Sequence, residues 1–515
     1  MSPKRARRLR RALLIVAVVV LLALGGAVGY AYYLTHSLKR VEVHGLSKVQ
    51  KTGHEAGAEN ILMVGSTSRC ALKVQNPAYG LCSEGVNGVN GDVIMILHVD
   101  PATHHLALLS IPRDLFIPNA RNDGAYKIDA GLVQGLSQMV TAIEEDFGIP
   151  IQHAISLNFD QFANIVNALG GINMTFPESV FDAESGLNIK AAACVHLDGT
   201  QALQLVRARH LQYDAPGTDT PYASDWPQEG LSDLARIQRD HEFLRVLATT
   251  VAKRGLGDPI TDFNLINSVK ADITFDQTWS VGAMVDLVRE FHSVAINAVP
   301  QLTLPVAIVY DPEGSYGGLV YEGYDYGDVE FPSQPQDEST IDRVLGISPT
   351  TFSMTGKPLP SPASISVSVV NGSGVPGQES ASAAAFKALG FRVVGTGSAT
   401  PTGDVVETIV YYGSRSPADE AAAEEVAHQM TGSVIMAYGP HEMADGAQVT
   451  VVTGTKFAIH HPATKKSTTV TQPTGATSSA IETPSPSNPG LAPWDPRACP
   501  AGVPATRPKH NIMYP

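Results

Sequence analysis

The chain has 515 residues, 43% hydrophobic and only 17% charged, enough apolar material for two or three domains with sizeable cores. Its formal net charge is −14, yet Lys4, Arg5, Arg7, Arg8, Arg10 and Arg11 precede any acidic residue; beyond them 30 basic residues face 50 acidic ones, a balance of −20. So acidic a body argues against nucleic-acid binding, where neutralised phosphates supply most of the affinity.

Ala12 to Leu34 is a run of 23 residues without a charge. At about 1.5 Å per residue a helix of that length crosses the hydrocarbon of a bilayer. The six cations before it carry the positive-inside signal, and Tyr30, Tyr32 and Tyr33 suit the far interface. A cleavable signal peptide cut near Ala27-Val28-Gly29 is the alternative. The run is longer than a usual signal core, so residues 1–11 read as a cytoplasmic tail, 12–34 as a transmembrane anchor and 35–59 as a stalk. Either way, residues 35–515 lie outside the cytoplasm at the cell membrane.

Four cysteines suit that oxidising side. Cys70 and Cys82 flank a loop containing Asn76-Pro77 and Gly80 that a disulfide could close. Cys194 and Cys499 have no local partners; pairing them needs the C-terminus to fold back. Four thiols allow three pairings, and the sequence alone does not choose.

A globular pattern begins at Asn60, with β-like runs at Ile61–Val64, Val93–Val99 and Leu106–Ile111. The last two flank the turn Asp100-Pro101-Ala102-Thr103 and predict a hairpin. Helical periodicity follows at Gln134–Phe147, at Phe159–Leu169 before Gly170-Gly171, and at Ser232–Ala252. Residues 60–347 thus read as one large α/β domain, and 348–362 as a Pro/Ser/Gly linker. Residues 363–455 alternate strand and helix through two rounds, a small second α/β domain. Its Asn371-Gly372-Ser373-Gly374 turn could cradle a phosphate or be a plain strand-to-helix turn. Residues 456–515 hold 11 of the 35 prolines and 13 Ser/Thr, which predicts a disordered tail.

Chemistry-bearing residues cluster in the large domain. Asp92 opens a strand after a loop with Gly85, Gly88 and Gly91, where a carboxylate could hold Mg²⁺ or simply cap a turn. Arg113-Asp114 ends the next strand and Lys127-Ile128-Asp129 follows a loop; strand ends of α/β sheets are where ligands usually sit, although an arginine beside an aspartate also makes a plain salt bridge. If Arg207 to Arg209 is extended, period two puts both guanidiniums on one face, a fork pair suited to phosphate. Asp233, Arg236 and Asp240 share a helix face with Arg239 beside them, either a solvated charged face or part of an anion site.

In this order and spacing, the chain resembles the LytR-CpsA-Psr family of membrane-anchored enzymes. The resemblance rests on Gly91-Asp92-Val93-Ile94-Met95, Ser110-Ile111-Pro112-Arg113-Asp114, Lys127-Ile128-Asp129, Asn167-Ala168-Leu169-Gly170-Gly171-Ile172, Leu197-Asp198-Gly199 with Arg207-x-Arg209, and Asp233-x-x-Arg236-x-x-Arg239. The second domain, with Val369-Val370-Asn371-Gly372-Ser373-Gly374, resembles the LytR-type C-terminal domain often appended to the family. The resemblance implies a three-layer α-β-α domain with a mixed sheet, and a phosphotransferase moving a glycopolymer from a polyprenyl pyrophosphate carrier to peptidoglycan. Its carrier tail would lie in an apolar tunnel between sheet and helices. It also implies that Arg113, Lys127, Arg207, Arg209, Arg236 and Arg239 bind the pyrophosphate, that Asp92 holds Mg²⁺ or Mn²⁺, and that Asp233, with Arg113, is catalytic. This chain departs from the family at three positions: Thr67 stands where an aspartate is usual, Asp129 where an asparagine is, and Asp240 where a glutamine is common. The rivals are a regulatory protein that binds the lipid pyrophosphate without transfer, supported by Thr67, and a structural wall-anchoring protein.

Overall fold

The computed structural model describes residues 38–51, 56–66, 89–254 except 219 and 231, 273–309 except 292–293, 319–455 except 322–323 and 400–406, 457–459, 483–484 and 491–508. The expected tail and anchor at 1–34, the Cys70–Cys82 pair and Thr67 lie outside these residues. Among the described residues no helix is long and apolar enough to cross a membrane.

A seven-stranded sheet organises the large domain, in the order Lys39–Val41, Thr274–Asp276, His153–Asn158, Glu59–Ser66, Gly91–Asp100, His105–Ile111, Gln301–Thr303. Three of its pairs are parallel and three antiparallel, so the sheet is mixed. The expected hairpin forms because Asp100 folds the turn on itself: its carboxylate accepts from Ala102 N at 2.8 Å and Thr103 Oγ1 at 2.5 Å. Side-chain alternation splits the sheet's two faces. Leu62, Val64, Ile94 and Ile96 join a core with Met139, Val140 and Ile143 of the helix Leu136–Phe147. Ile61 and Val99 join another with Trp279 and with Met284 and Leu287 of the helix Val281–Phe291.

A third core forms around the helices Phe159–Ala168 and Gly199–Arg207. Capping boxes start both helices, Asn158 with Gln161 and Asp198 with Gln201. The two approach so closely that a Cβ on Gly199 would lie 2.1 Å from the Ala163 carbonyl oxygen; only glycine fits.

The second unit carries its two strand-helix rounds as expected, with helices Gln378–Ala388 and Pro417–His428. Its Asn371 turn closes on itself, the Asn371 side chain accepting from Ser373 N and Oγ at 3.1 and 2.9 Å, and so is a plain turn. The sheet of this unit does not stop at its edge. The strand Met430–Tyr438 pairs with Val329–Gln334 of the large domain, Ser433 opposite Ser333, making one nine-stranded sheet.

The disordered tail is corrected over residues 491–508. Arg497–Ala498 adds a strand to Ile172–Phe176, Trp494 stacks on Tyr213 with ring centroids 3.8 Å apart, and Cys499 is disulfide-bonded to Cys194. Composition reports only whether a segment can build its own core, whereas this one borrows the core of residues more than 250 positions away.

Candidate active site

Register brings the first charges together. Ile94 pairs with Ile111 in the antiparallel ladder, so Asp92 and Arg113, two residues further out on each strand, fall opposite each other. An Arg113 guanidinium nitrogen donates to the Asp92 carboxylate, and Nε lies 3.3 Å from Asp114 and 3.6 Å from Asp233. Lys127 ends the hairpin strand Gly124–Lys127 and donates to Asp114 at 2.9 Å. The next turn is the 3-10 helix Ile128–Gln134, where Asp129 accepts from Asn90 Nδ2 at 3.1 Å.

The long helix Ser232–Arg254 supplies the opposite wall. Its charged face is not solvated: Asp233, Arg236 and Asp240 are all buried. Arg236 donates to one Asp233 oxygen at 3.2 Å, lies 3.0 Å from the other in an ion pair, and is 4.0 Å from Asp240.

Arg207 and Arg209 are not on an extended strand, as the two-residue period had suggested. The helix runs through Arg207, and only Ala208 is extended (φ −65°, ψ 116°) before Arg209 enters a bend. A helix-capping box at Asp198 sets that frame, and propagation carries it to Arg207. Arg207 lies over the Phe159 ring, 4.4 Å from its centroid, while Arg209 lies near enough to Asp114 to favour its ionised form.

Arg239 is corrected from an anion ligand to a structural residue. It is 1% exposed, donates to Glu229 at 2.8 Å and to the Ala208 carbonyl, and lies 3.3 Å from Asp495 of the C-terminal segment. With its fork closed on these partners, it holds the Arg207–Arg209 bend against the long helix.

Between the second sheet face and the helices lies a cavity of about 160 Å³. Met63, Met95, Ile155, Phe162 and Phe243 give it apolar walls, and Asp92, Arg207, Arg236 and Asp240 are its charged lining residues. A larger cleft of about 1030 Å³ between the two units includes none of these charged residues.

Burial dominates the electrostatics. It raises the Asp129 carboxyl to about 7, Arg113 opposing and Asp114 and Asp92 assisting. Asp240 rises to about 7 by burial, against the pull of Arg236 and Arg239. Burial would also raise Asp114, but Arg113 and Lys127 outweigh it and hold that carboxyl below its usual range. Glu330, unnoticed in the sequence, is buried beside this group and pushed well above the ordinary glutamate range by burial, then by Asp233 and Asp114. Its signal was a lone charge inside an otherwise apolar strand, Val329-Glu330-Phe331. Glu229 and Asp495 had no comparable signal.

The donor set suits a hard cation. Both Asp240 oxygens are buried without a hydrogen-bond partner among the described residues, in the cavity that Asp92 also lines. Two carboxylates, one of them open and the other held on one oxygen by Arg113, with no sulfur or imidazole between them, match Mg²⁺ or Mn²⁺.

Residues 30–330 match the LytR_cpsA_psr family, and residues 364–457 match the LytR cell envelope-related transcriptional attenuator family. The chain is 31% identical over 280 residues to the probable cell wall biosynthesis protein LcpB of Corynebacterium glutamicum, covering 53% of this chain and 60% of that one. It is 24% identical over 297 residues to the polyisoprenyl-teichoic acid–peptidoglycan teichoic acid transferase TagU of Bacillus subtilis (strain 168), covering 55% and 84%. Among solved structures, a LytR-Csp2A-Psr enzyme from Actinomyces oris aligns with 60% of this chain and 96% of its own, at 23% identity and a TM-score of 0.45.

Proposed function

Since residues 30–330 make this chain a member of the LytR-CpsA-Psr family, we propose that it is an extracytoplasmic phosphotransferase moving a glycopolymer from a polyprenyl pyrophosphate carrier to peptidoglycan. The observation that carries the proposal is the cavity, whose walls are apolar and whose lining includes Arg207 and Arg236. A long apolar tail with a doubly charged head calls for that same combination.

Arg113, Lys127, Arg207, Arg209 and Arg236 neutralise the pyrophosphate; planar forks grip phosphate oxygens in pairs, and the lysine adds a point charge. Asp92 and Asp240 would hold Mg²⁺. When bound, the cation shields the pyrophosphate oxygens and stabilises charge on the leaving phosphate. Asp233 accepts the proton of the acceptor sugar hydroxyl. The hydroxyl oxygen then bonds to the phosphorus that carries the glycopolymer, and the bond from that phosphorus to the bridging oxygen breaks. Polyprenyl phosphate leaves, and glycopolymer and peptidoglycan are joined by a phosphodiester. Little covalent work falls to the protein, because positioning and charge stabilisation carry most phosphoryl transfer.

The anchor proposed for residues 12–34 keeps this site at the outer membrane face, where the carrier lies. The Cys194–Cys499 disulfide is consistent with that oxidising compartment.

Asp233→Asn tests the division of roles. It removes a negative charge from an anion site, so carrier pyrophosphate binding holds or tightens while transfer falls by about 10²-fold or more, the usual worth of a general base. Loss of binding and melting temperature together, with transfer falling only in proportion, would reduce Asp233 to the partner that holds Arg236. Binding without any turnover in the unmodified protein would favour the regulatory alternative.

A further inference from the structure

At the junction of the two units, two helices bring carboxylates and an imidazole to one point. Glu424 and His428 stand four residues apart on the helix Pro417–His428, hence on one face. Glu338, on the helix Gln336–Leu345 of the large domain, faces them. Ligand atoms from Glu338, Glu424 and His428 lie within 4.8 Å of one another. His428 Nε2 is 3.1 Å from Glu338 Oε2, and Gln334 Nε2 holds the other Glu338 oxygen at 3.1 Å.

Glu424 supplies an independent observation. It is 4% exposed, and its Oε2 has no hydrogen-bond partner among the described residues. A buried carboxylate oxygen left open costs free energy unless something positive meets it. Asp342, one turn beyond Glu338 and buried, adds a further carboxylate close enough to act on Glu338's partners Glu424 and His428. Glu338, Glu424 and Asp342 thus set three carboxyl groups against the one imidazole of His428. Gly148, at φ +63°, keeps the space open: a Cβ there would come 3.3 Å from Glu424 Oε2.

We propose that Glu338, Glu424 and His428 form a second cation site, specific for a transition metal of the Zn²⁺ type, that clamps the C-terminal unit to the large domain. An imidazole with two carboxylates suits Zn²⁺, whereas Mg²⁺ takes oxygen alone. Ligand atoms around one zinc lie about 3–3.5 Å apart, so side-chain shifts of about an ångström complete the site. The site is distinct from the Asp92–Asp240 pair in both ligand class and location.

The test uses the untagged full chain, stripped with chelator and titrated with Zn²⁺ and Co²⁺. One equivalent binds with a dissociation constant below about 10 µM, and saturating Zn²⁺ raises the melting temperature, because a ligand of the folded state stabilises it by mass action. Co²⁺ gives a visible d–d band whose energy reports mixed nitrogen and oxygen ligation. His428→Ala and Glu338→Gln each weaken binding at least about ten-fold and remove the band, while Asp92→Asn keeps both. If His428→Ala does not fold, the cobalt spectrum of the unmodified protein decides alone. No bound equivalent, Mg²⁺ serving as well as Zn²⁺, or a cobalt band indifferent to His428 would each overturn the proposal; the cluster would then be carboxyls sharing protons.

Discussion

Arg207 and Arg209 lie on either side of a single extended residue, and the structure gives them different neighbours. Arg207 rests on Phe159 at the rim of the cavity, and Arg209 looks toward Asp114. A lost charge-assisted contact to phosphate costs about 1.5–3 kcal/mol, so Arg207→Ala should weaken carrier pyrophosphate binding by about ten-fold or more in calorimetric titration. Lysine at 207 should recover only part of that, since it restores charge without the fork or the ring stacking. Full recovery by lysine would mean that the arginine acts as a charge alone. Asp240→Asn should weaken Mg²⁺ binding several-fold, because an amide is a poorer hard-cation ligand than a carboxylate; unchanged Mg²⁺ affinity would remove Asp240 from the metal site. At this scale the sequence was informative where neighbours are set by the helix turn, as with Asp233 beside Arg236, whereas Asp92 opposite Arg113 follows from a strand register that no local pattern had given. It misled at Arg239, whose partners Glu229 and Asp495 lie 10 and 256 positions away, beyond any local pattern.

Among the elements, the long helix and the C-terminal segment depend on each other. Arg239 is buried between Glu229 and Asp495, and removing one partner of a buried ion pair leaves an uncompensated charge. Asp495→Ala should therefore destabilise the large domain by about 1–3 kcal/mol in denaturant unfolding, even though it lies in a proline-rich tail. The Cys194–Cys499 bond spans 305 positions, which the chain-entropy account values at about 6 kcal/mol, so Cys499→Ser should lower the melting temperature more than Asp495→Ala does. Equal stability of the cysteine variant and the parent would contradict the docking of this segment. The strands and helices themselves were legible from period two and period 3.6. The tail was not, because Trp494, Asp495 and Cys499 each serve a partner that no neighbouring residue announces.

Across the whole molecule, the two units share a sheet and meet over an acidic junction. Tyr412 donates to the Glu145 carbonyl at 3.1 Å, and Arg415 pairs with the Glu145 carboxylate. Neither contact was foreseen, since the linker 348–362 suggested two independent bodies. One continuous sheet should give a single calorimetric unfolding transition for both units; two separate transitions would show that the junction is weak. The junction should also loosen with pH. Burial lifts Glu144 to about 7, with Glu420 raising it further against its bonds from Ile151 N and Ser47; Glu420 itself rises to about 7 by burial and by Glu145. Both carboxyls bind protons more tightly folded than unfolded, so their contribution is full below about pH 4.5 and is lost as pH climbs through 7. Glu144→Gln keeps the acceptor oxygen without the charge, and its melting temperature relative to the parent should rise between pH 5 and 8. A constant difference over that range would contradict the assigned shift.

The central claim is that the apolar cavity and the charged residues that line it serve transfer of a glycopolymer. Its most direct test mixes the purified full chain, Mg²⁺, a polyprenyl-pyrophosphate-linked oligosaccharide and peptidoglycan fragments, and follows products by mass spectrometry. The expected result is a phosphodiester-linked conjugate formed in step with polyprenyl monophosphate, both abolished by Asp233→Asn with Arg113→Ala. Carrier that binds and returns unchanged, with no conjugate at any Mg²⁺ concentration, would contradict it.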